Sequence, residues 1–246
     1  MKVLEVVEAG RVPYHEALDW QRRLADERIA GSLDHDVLLL LEHPPVVTLG
    51  RSSQAAHVLH PAGVDVVEVE RGGDVTYHGP GQLVGYPIID LRNYKQDLHW
   101  YLRTLEQTLI AALGFLGIPA ETNKGFTGVW THGRKIASIG IHVKQWVTWH
   151  GFALNVATDL AEFQRIVPCG IPGVVMTSVE RETACPEARS AEGGNGKRET
   201  LWTESVRAVV QGFHDVFGVS IDPSPEGAAR PRHASLRTPV VAEPGL

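Results

Sequence analysis

Cys169 has the sequence surroundings of a nucleophile. It lies in the string VPCGIPG, between a proline and a glycine. A stiff turn of this kind presents the sulfur and places backbone N–H groups where they can face an oxyanion. An isolated cysteine is also often a small buried apolar residue, so a catalytic interpretation of Cys169 needs partners elsewhere in the sequence. Cys185 lies in a polar segment without comparable surroundings.

Lys135 is the first candidate partner. It lies in the string GRKIASIGIH, where it begins an otherwise apolar strand. A lone lysine at such a position can extend its stem and place the ammonium at the surface. If it is instead buried beside Cys169, the loss of water favours the neutral amine, which can accept and return protons. Ser138, Gly140 and Gly151 are small, which suits a wall along which a ligand chain lies.

The segment Arg71–Gln82, RGGDVTYHGPGQ, is the candidate binding loop. Its four glycines in twelve residues allow the backbone to approach a ligand and to expose amide donors. Arg71, Tyr77 and His78 add side-chain donors, although a long turn with no ligand is the alternative. The string matches neither G-x-x-x-x-G-K-[ST] nor a helix-opening G-x-G-x-x-G, so a nucleotide phosphate site is not indicated. A turn-borne cysteine, a lysine and this loop together describe an acyl-transfer site, provided that the fold brings them together.

Two histidines, His142 and His150, follow Lys135 along the chain. They could form a metal pair, but no third ligand is evident, so we interpret them as hydrogen-bonding residues and predict no metal. His150 begins the string HGFALN, and Asn155 at its end is predicted to orient one of the two histidines.

The hydrophobic periodicity predicts an α+β fold with a mixed, largely antiparallel sheet and covering helices. Short β-branched runs predict strands at Lys2–Val7, Val37–Leu41, Val46–Leu49, Val64–Val69, Leu83–Leu91, Gly128–Thr131, Ile136–Lys144 and Val147–Val156. Helical spacing predicts helices at Pro13–Ile29, Asp97–Leu116 and Leu201–Phe217. Residues 1–220 are expected to form one domain with a mobile loop at 185–200, followed by a disordered tail at 221–246.

The composition narrows the class of protein. The formal net charge is −6, from 23 basic and 29 acidic residues, which argues against a strongly basic nucleic-acid binder. The first residues contain no apolar run suited to a signal peptide, and Val37–Leu41 is far shorter than the ~20 residues of a membrane helix. The two cysteines make no disulfide framework. These observations predict a cytoplasmic protein.

Four strings of the sequence closely resemble those of the lipoyl(octanoyl) transferases, enzymes that move octanoyl groups from acyl carrier protein to lipoyl domains. They are RGGDVTYHGPGQ at 71–82, GRKIASIGIHV at 133–143, HGFALN at 150–155 and PCGIPG at 168–173. The resemblance implies a catalytic domain similar to those of biotin and lipoate protein ligases. It also implies that Cys169 carries the acyl thioester and that Lys135 favours its thiolate form.

The resemblance extends to binding residues, partners and cofactors. Residues implied to line the acyl and donor pocket are Arg71, Gly72, Gly73, Asp74, Val75, Thr76, Tyr77, His78, Ser138, Ile139, Gly140, Gly151, Phe152 and Ala153, with His142, His150 and Asn155 in support. Octanoyl-acyl carrier protein would be the donor. Lipoyl domains of 2-oxoacid dehydrogenase complexes and the glycine cleavage H protein would be the acceptors. The protein is expected to be monomeric and to need no cofactor.

Three other functions are compatible with some of these features. An ATP-dependent lipoate or biotin ligase would share the fold and the target lysine without needing a nucleophilic cysteine. A papain-type cysteine hydrolase would need a histidine base with an orienting partner, which His150 and Asn155 could supply. A non-catalytic module that binds acyl carriers would need none of this chemistry.

Overall fold

The computed structural model of the chain describes residues 2–184 and 195–223. Its strands are β1 (Val3–Arg11), β2 (Asp36–Glu42), β3 (Val46–Leu49), β4 (Asp65–Glu68), β5 (Thr76–His78), β6 (Gln82–Ile88), β7 (Val129–Thr131), β8 (Arg134–Lys144), β9 (Val147–Asn155) and β10 (Ser220–Pro223). Its α-helices are α1 (Tyr14–Ala30), α2 (Leu98–Phe115), α3 (Val179–Thr183) and α4 (Asn195–Phe217). In the described part of the chain, no helix combines the length and apolarity needed to cross a membrane.

The strands form two sheets. The larger has seven strands in the order β10-β1-β2-β6-β9-β8-β7, and the smaller has three in the order β4-β3-β5. The β1–β10, β1–β2 and β3–β4 pairs are parallel, and the other five pairs are antiparallel. The predicted α+β class with a mixed, largely antiparallel sheet is therefore confirmed.

The large sheet is buried on both faces, and β2 illustrates the reason. Alternate side chains of a strand point to opposite faces. Leu38 and Leu40 pack with the apolar residues of α2 and α4, whereas Leu39 and Leu41 pack with those of α1. Because both faces are covered, the strand reads as a continuous apolar run rather than as an alternating one.

The helix ends follow local sequence signals. Asp97 caps α2, since its side chain accepts a hydrogen bond from the backbone N–H of Trp100. Gly31 ends α1 in the left-handed conformation, with φ of 79°. At the tight turn between β7 and β8, His132 and Gly133 have φ of 47° and 73°, as a two-residue hairpin requires. The predicted helices and this predicted turn are thus present.

Four predicted boundaries were wrong. The strand predicted at Leu83–Leu91 ends at Ile88, because Asp90 accepts a hydrogen bond from the N–H of Arg92 and starts a 3-10 turn. Helix α4 begins at Asn195, inside the loop predicted at 185–200, and residues 185–194 lie outside the described range. The tail predicted from residue 221 begins with β10, which pairs with β1, and residues 224–246 lie outside the described range. The first strand continues beyond Val7 to Arg11 through a bulge.

Candidate active site

A cavity of about 200 Å³ brings the three chemically suggestive segments together. Ligand sites for drug-sized molecules occupy roughly 300–1,000 Å³, so this cavity suits a smaller group. Its lining contains Tyr14, Arg71, Gly73, Asp74, Thr76, His78, Tyr86, Gly125, Phe126, Thr127, Lys135, Ser138, Ile139, Gly140, His150, Gly151, Phe152, Ala153, Cys169 and Ile171. The structure therefore brings Cys169, Lys135 and twelve of the other residues predicted from the sequence into one site.

Cys169 occupies a strained turn. It lies in the short 3-10 helix Pro168–Gly170, with φ of 56° and ψ of 20°, in the left-handed region that side-chain-bearing residues rarely adopt. Its backbone N–H donates to the carbonyl of Val75 at 2.9 Å, and the N–H of Gly170 donates to Val167 at 3.0 Å. The expectation that these amides face an oxyanion was wrong, because the N–H of Gly170 closes the turn and the N–H of Cys169 is bonded to the glycine-rich segment.

Lys135 is fully buried and its amine contacts the sulfur. The exposed fraction of Lys135 is 0%, and Nζ lies 3.3 Å from Sγ of Cys169 and 3.1 Å from the carbonyl oxygen of Thr127. Nζ also lies 4.6 Å from the centre of the Trp130 ring. The hydroxyl of Ser138 is 3.7 Å from Sγ. The cysteine thus has an amine and a hydroxyl as its polar neighbours.

Backbone pairing explains how Lys135 and Cys169, which are 34 residues apart, meet. The N–H of Lys135 donates to Val175 at 2.8 Å, and the N–H of Thr177 donates to the carbonyl of Lys135 at 2.9 Å. The chain that leaves the Cys169 turn is therefore hydrogen-bonded to the start of β8. The lysine is held on a sheet strand, and the cysteine is held on a turn that is tied to that strand.

The glycine-rich segment is not wholly a loop, because it contains β5. Strand alternation sends Thr76 and His78 toward the cavity, whereas Val75 and Tyr77 point into an apolar cluster on the other side. The Tyr77 ring packs edge-on against Phe163, with 5.7 Å between ring centres. The interpretation of Val75 and Tyr77 as pocket-lining residues was therefore wrong, as it was for Gly72, whose N–H is bonded to Ile141.

Arg71 is a buried cation beside the cavity. Its guanidinium donates to the carbonyl of Thr48 at 2.8 Å and to the hydroxyl of Thr48 at 3.0 Å. Burial lowers the pKa of Arg71, while the nearby Tyr14 and Cys169 act in the opposite direction. The guanidinium thus adds positive potential that acts on Tyr14 and His78 as well as on Cys169.

Gly140 and Gly151 line the cavity, but close backbone packing also requires both. A Cβ on Gly140 would lie 2.9 Å from the carbonyl oxygen of Gly72, and one on Gly151 would lie 2.3 Å from that of Gly85. Gly72 also donates its N–H to Ile141 at 2.8 Å, which fastens the glycine-rich segment onto β8. These glycines therefore set the distance between the segment and the sheet, in addition to leaving space for a ligand.

A relay of hydrogen bonds orients His78. The amide of Asn155 accepts from Gln82 at 3.0 Å, and Gln82 in turn bonds Nδ1 of His78 at 2.8 Å. Asn155 was predicted to orient His142 or His150, which was wrong, because its other contact is a donated bond to the carbonyl of Thr177. Asn155 lies outside the cavity lining and acts on His78 through Gln82.

His142 and His150 have different surroundings. His142 lies outside the cavity lining, 3.1 Å from Arg51 and 4.1 Å between ring centres from Trp149. His150 lines the cavity with φ of 55°, and burial lowers its pKa even though Glu70 is 3.9 Å away. Within residues 2–184 and 195–223 there is no group of three or more His, Cys, Asp or Glu side chains placed to hold a metal ion.

Sequence reasoning missed several residues that cluster with His78 and His150, on what we call the histidine side of the cavity. Buried His43 bonds the hydroxyl of Tyr86 and the carbonyl of Val12, each at 2.7 Å, and burial lowers the pKa of His43 to about 4. Burial raises the pKa of Tyr14 to about 12. These residues come from segments that match no motif, and their only signal in the sequence is a polar or aromatic type next to an apolar run.

Three cations lie close in sequence to residues of the site, and two of them are paired with acidic residues. Arg134 makes two hydrogen bonds to Glu182, at 3.0 and 2.8 Å, and Lys144 lies 3.2 Å from Asp26. The third, Lys124, precedes Gly125, which lines the cavity beside exposed Phe126.

The sequence is similar to those of known proteins. Residues 13–192 match the family model described as the lipoyl protein ligase A/B catalytic domain. An octanoyltransferase of Gloeobacter violaceus is 57% identical over 196 residues, which cover 75% of this chain and 88% of that protein. An octanoyltransferase of Nostoc punctiforme is 46% identical over 229 residues, covering 90% and 92%.

Solved structures share the fold. A putative lipoate protein ligase from Thermoplasma acidophilum has a TM-score of 0.64 at 16% identity, covering 91% of this chain and 88% of that one. Lipoate-protein ligase A bound with ATP has a TM-score of 0.61 at 17% identity, covering 92% and 90%. At such low identity these structures establish the fold alone. The family model and the sequence relatives establish the family and the type of reaction. The chain therefore belongs to the lipoyl protein ligase A/B catalytic domain family and is an acyltransferase that acts on octanoyl groups.

Proposed function

We propose that the chain takes an octanoyl group from octanoyl-acyl carrier protein onto Cys169 as a thioester and delivers it to a lysine of a lipoyl domain. The single observation that carries this proposal is the 3.3 Å contact between Nζ of Lys135 and Sγ of Cys169 at the cavity. A cationic amine next to a thiol favours the thiolate, which is the nucleophilic form.

In the first half-reaction the Cys169 thiolate attacks the carbonyl carbon of the donor thioester. The ammonium of Lys135 and the hydroxyl of Ser138 are the donors nearest to Sγ, and they are our candidates for stabilising the oxyanion. The carbon–sulfur bond to the carrier then breaks, and the carrier thiolate leaves with a proton from Lys135. The octanoyl group now forms a thioester with Cys169.

In the second half-reaction a neutral lysine amine of the acceptor attacks the thioester of Cys169. Lys135, now deprotonated, accepts the proton released as the amide bond forms, and Cys169 leaves as the thiolate. Two successive substitutions at the acyl carbon, with the Cys169 thioester between them, predict ping-pong kinetics. Because both substitutions start from a thioester, the reaction needs no ATP.

The acyl chain would lie along the wall formed by β8 and β9 on the face that carries Ser138 and Ala153. The side chains of Ile139 and Phe152 point to the opposite face of this wall, into the core with α2 and α4. Burial of about six methylenes at ~0.8 kcal/mol each would contribute up to about 5 kcal/mol of binding free energy. We expect the acceptors to be lipoyl domains of 2-oxoacid dehydrogenase complexes and the glycine cleavage H protein. A cytoplasmic location would keep the free thiol reduced.

The main alternative is an ATP-dependent ligase, because a solved ligase with bound ATP shares the fold. A ligase activates a free acid and has no need of a thiol in contact with a buried amine, so the Cys169–Lys135 pair favours the transferase. A papain-type hydrolase needs a histidine as the base, whereas the nitrogen that is hydrogen-bonded to Sγ belongs to Lys135.

Intact-protein mass spectrometry after mixing with octanoyl-loaded acyl carrier protein tests the proposal. The wild type should gain one octanoyl group that hydroxylamine removes and that a lipoyl domain accepts. Cys169→Ala should gain none, and Cys185→Ala serves as the matched control that should behave as wild type.

Octanoyl transfer by Cys169→Ala at the wild-type rate would refute the covalent route. Acylation of a lipoyl domain from free octanoate and ATP, without any adduct on Cys169, would instead support the ligase.

A further inference from the structure

A hydrogen-bonded histidine–aspartate pair that the proposed mechanism does not use lies next to the cysteine turn. Nδ1 of His57 is 2.7 Å from Oδ2 of Asp74, with exposed side-chain fractions of 19% and 11%. His57 ends the short 3-10 helix Ala55–His57, and Asp74 belongs to the glycine-rich segment. Two separate parts of the chain thus join beside Cys169.

Hydrogen bonds connect this pair to both ends of the turn. Oδ1 of Asp74 accepts from the N–H of Val75 at 2.6 Å, and the carbonyl of Val75 accepts from the N–H of Cys169 at 2.9 Å. The backbone carbonyl of His57 accepts from the N–H of Val167 at 2.8 Å. The pair therefore holds the residue at the tip of the turn through Asp74 and the residue before the turn through His57.

Gly170 packs directly against the pair. A Cβ at this position would lie 2.4 Å from Oδ2 of Asp74 and 3.1 Å from Cε1 of His57. Gly170 has φ of +66°, and Cys169 before it has φ of 56°, so two consecutive residues are in the left-handed region. Such a conformation persists only where its surroundings restrain it, and His57 and Asp74 supply contacts of that kind.

We infer that His57 and Asp74 are positioning residues that hold the Cys169 turn so that Sγ stays beside Lys135. The inference rests on the proposed role of Cys169 as the acyl carrier. In this scheme neither residue accepts the acyl group, and the proton transfers of the reaction involve Lys135 alone. The bond between them fixes the turn, and the turn fixes the distance from Sγ to Nζ.

The charged groups that surround Cys169 come from three segments. Lys135 lies on β8, Arg71 and Asp74 lie in the glycine-rich segment, and His57 lies in the 3-10 helix. If the turn loosens, Sγ moves away from the ammonium of Lys135, and the thiolate forms at a higher pH. The pH dependence of thiol alkylation therefore reports the geometry that the pair maintains.

The test measures the rate of iodoacetamide alkylation against pH in a Cys185→Ser background, where Cys169 is the remaining thiol of the sequence. We expect His57→Ala and Asp74→Ala to raise the pH of half-maximal rate by about one unit. We expect His57→Asn to restore the wild-type profile, because its amide N–H can replace that of Nδ1. Exposed His60 provides the matched control, and His60→Ala should match wild type.

Octanoyl transfer from a small octanoyl thioester gives the second readout. His57→Ala should lower kcat about 10- to 100-fold while KM changes less than about threefold, because placement of the nucleophile, and not acyl binding, is altered. If one alanine variant fails to fold, as judged by its melting temperature, the other decides the result.

Unchanged alkylation profiles in folded His57→Ala and Asp74→Ala would overturn the inference. It would also be overturned if His57→Asn were as impaired as His57→Ala, because the ring itself and not its bond to Asp74 would then be required. Alkylation needs no acyl donor, so these outcomes are independent of whether wild type forms the octanoyl adduct that tests the proposed function.

Discussion

The two sides of the cavity differ in what their buried polar groups contact. On the Cys169 side, the thiol, the amine of Lys135 and the hydroxyl of Ser138 contact one another, at 3.3 and 3.7 Å from the sulfur. On the histidine side, His43 and His78 bond to Tyr86 and Gln82. One side brings a thiol and an amine into contact, and on the other side both ring nitrogens of His43 and Nδ1 of His78 have hydrogen-bond partners within the fold.

Burial favours the neutral form of the titratable histidines and tyrosines on the histidine side. It lowers the pKa of His43, His78 and His150 and raises that of Tyr14 and Tyr86. These side chains are therefore neutral near pH 7. A neutral wall suits an apolar acyl chain, whereas a thiolate needs the cations Lys135 and Arg71. A single cavity of about 200 Å³ thus holds a reactive side and a neutral binding side.

The largest effect is expected from Cys169→Ala, which removes the nucleophile from the reactive side. Transfer of octanoyl to a lipoyl domain should fall at least about 10³-fold, since a covalent route has no substitute for the sulfur. Steady-state kinetics measure the loss. The melting temperature should be retained, because the side chain is small and half-buried. A fall in the transfer rate of less than tenfold would contradict the assignment of the nucleophile to the Cys169 side.

Lys135→Met tests whether the reactive side depends on the amine. Methionine keeps most of the volume and removes the charge, so octanoyl transfer should fall by about 10²- to 10³-fold. The substitution also leaves the carbonyl of Thr127 without its buried donor, so we expect a modest fall in melting temperature, with the protein still folded at the assay temperature. A loss of activity that merely tracks a fall in melting temperature would contradict this prediction.

The neutral state of the histidine side predicts how stability depends on pH. The pKa of His43 is about 4 in the folded protein, below the ordinary histidine value of 6.5, so below pH 6.5 the unfolded chain binds the proton first. The free energy of unfolding should therefore fall as pH drops from 6.5 toward 4, by up to about 3 kcal/mol from this group.

Urea unfolding at several pH values measures this dependence. His43→Gln should reduce the slope between pH 6.5 and 4.5 by up to about 1.4 kcal/mol per pH unit. His99→Gln, at an exposed position, should leave the slope as in wild type. Equal slopes for His43→Gln and wild type would show that His43 is not held neutral.

The smallest effect is expected from Ala153→Gly, which removes a methyl group from the cavity wall. The enlarged wall should shift the preference toward longer acyl donors, with changes of no more than about tenfold, because one or two methylenes are worth only ~1–3 kcal/mol. Values of kcat/KM for donors of six to twelve carbons measure the shift. A uniform loss for all chain lengths would place the acyl group elsewhere.

Local signals predicted the elements of this fold better than their ends. The cap at Asp97, the turn at His132–Gly133 and the apolar run of β2 depend on neighbours in sequence, and each is present. The helix start at Asn195 was missed because its first residues are polar and exposed, and thus lack the apolar periodicity that marks a helix.

Predicting the site was harder where orientation mattered. The sequence indicates that residues 71–78 bind a ligand, but β5 directs Val75 and Tyr77 away from the cavity. It suggests that the amides near Cys169 are free, but that of Gly170 closes the turn and that of Cys169 is bonded to Val75. Strand register and turn closure decide both points, and neither appears in a string of residue types.

The amino-acid sequence alone identified the candidate reactive groups, because a cysteine between proline and glycine and a lysine at a strand start can be recognised locally. The tertiary structure alone decided that Nζ and Sγ lie 3.3 Å apart. It also decided that His57 and Asp74 meet beside Gly170. These contacts join segments distant in sequence, and their distances are set by backbone pairing and packing of the whole sheet.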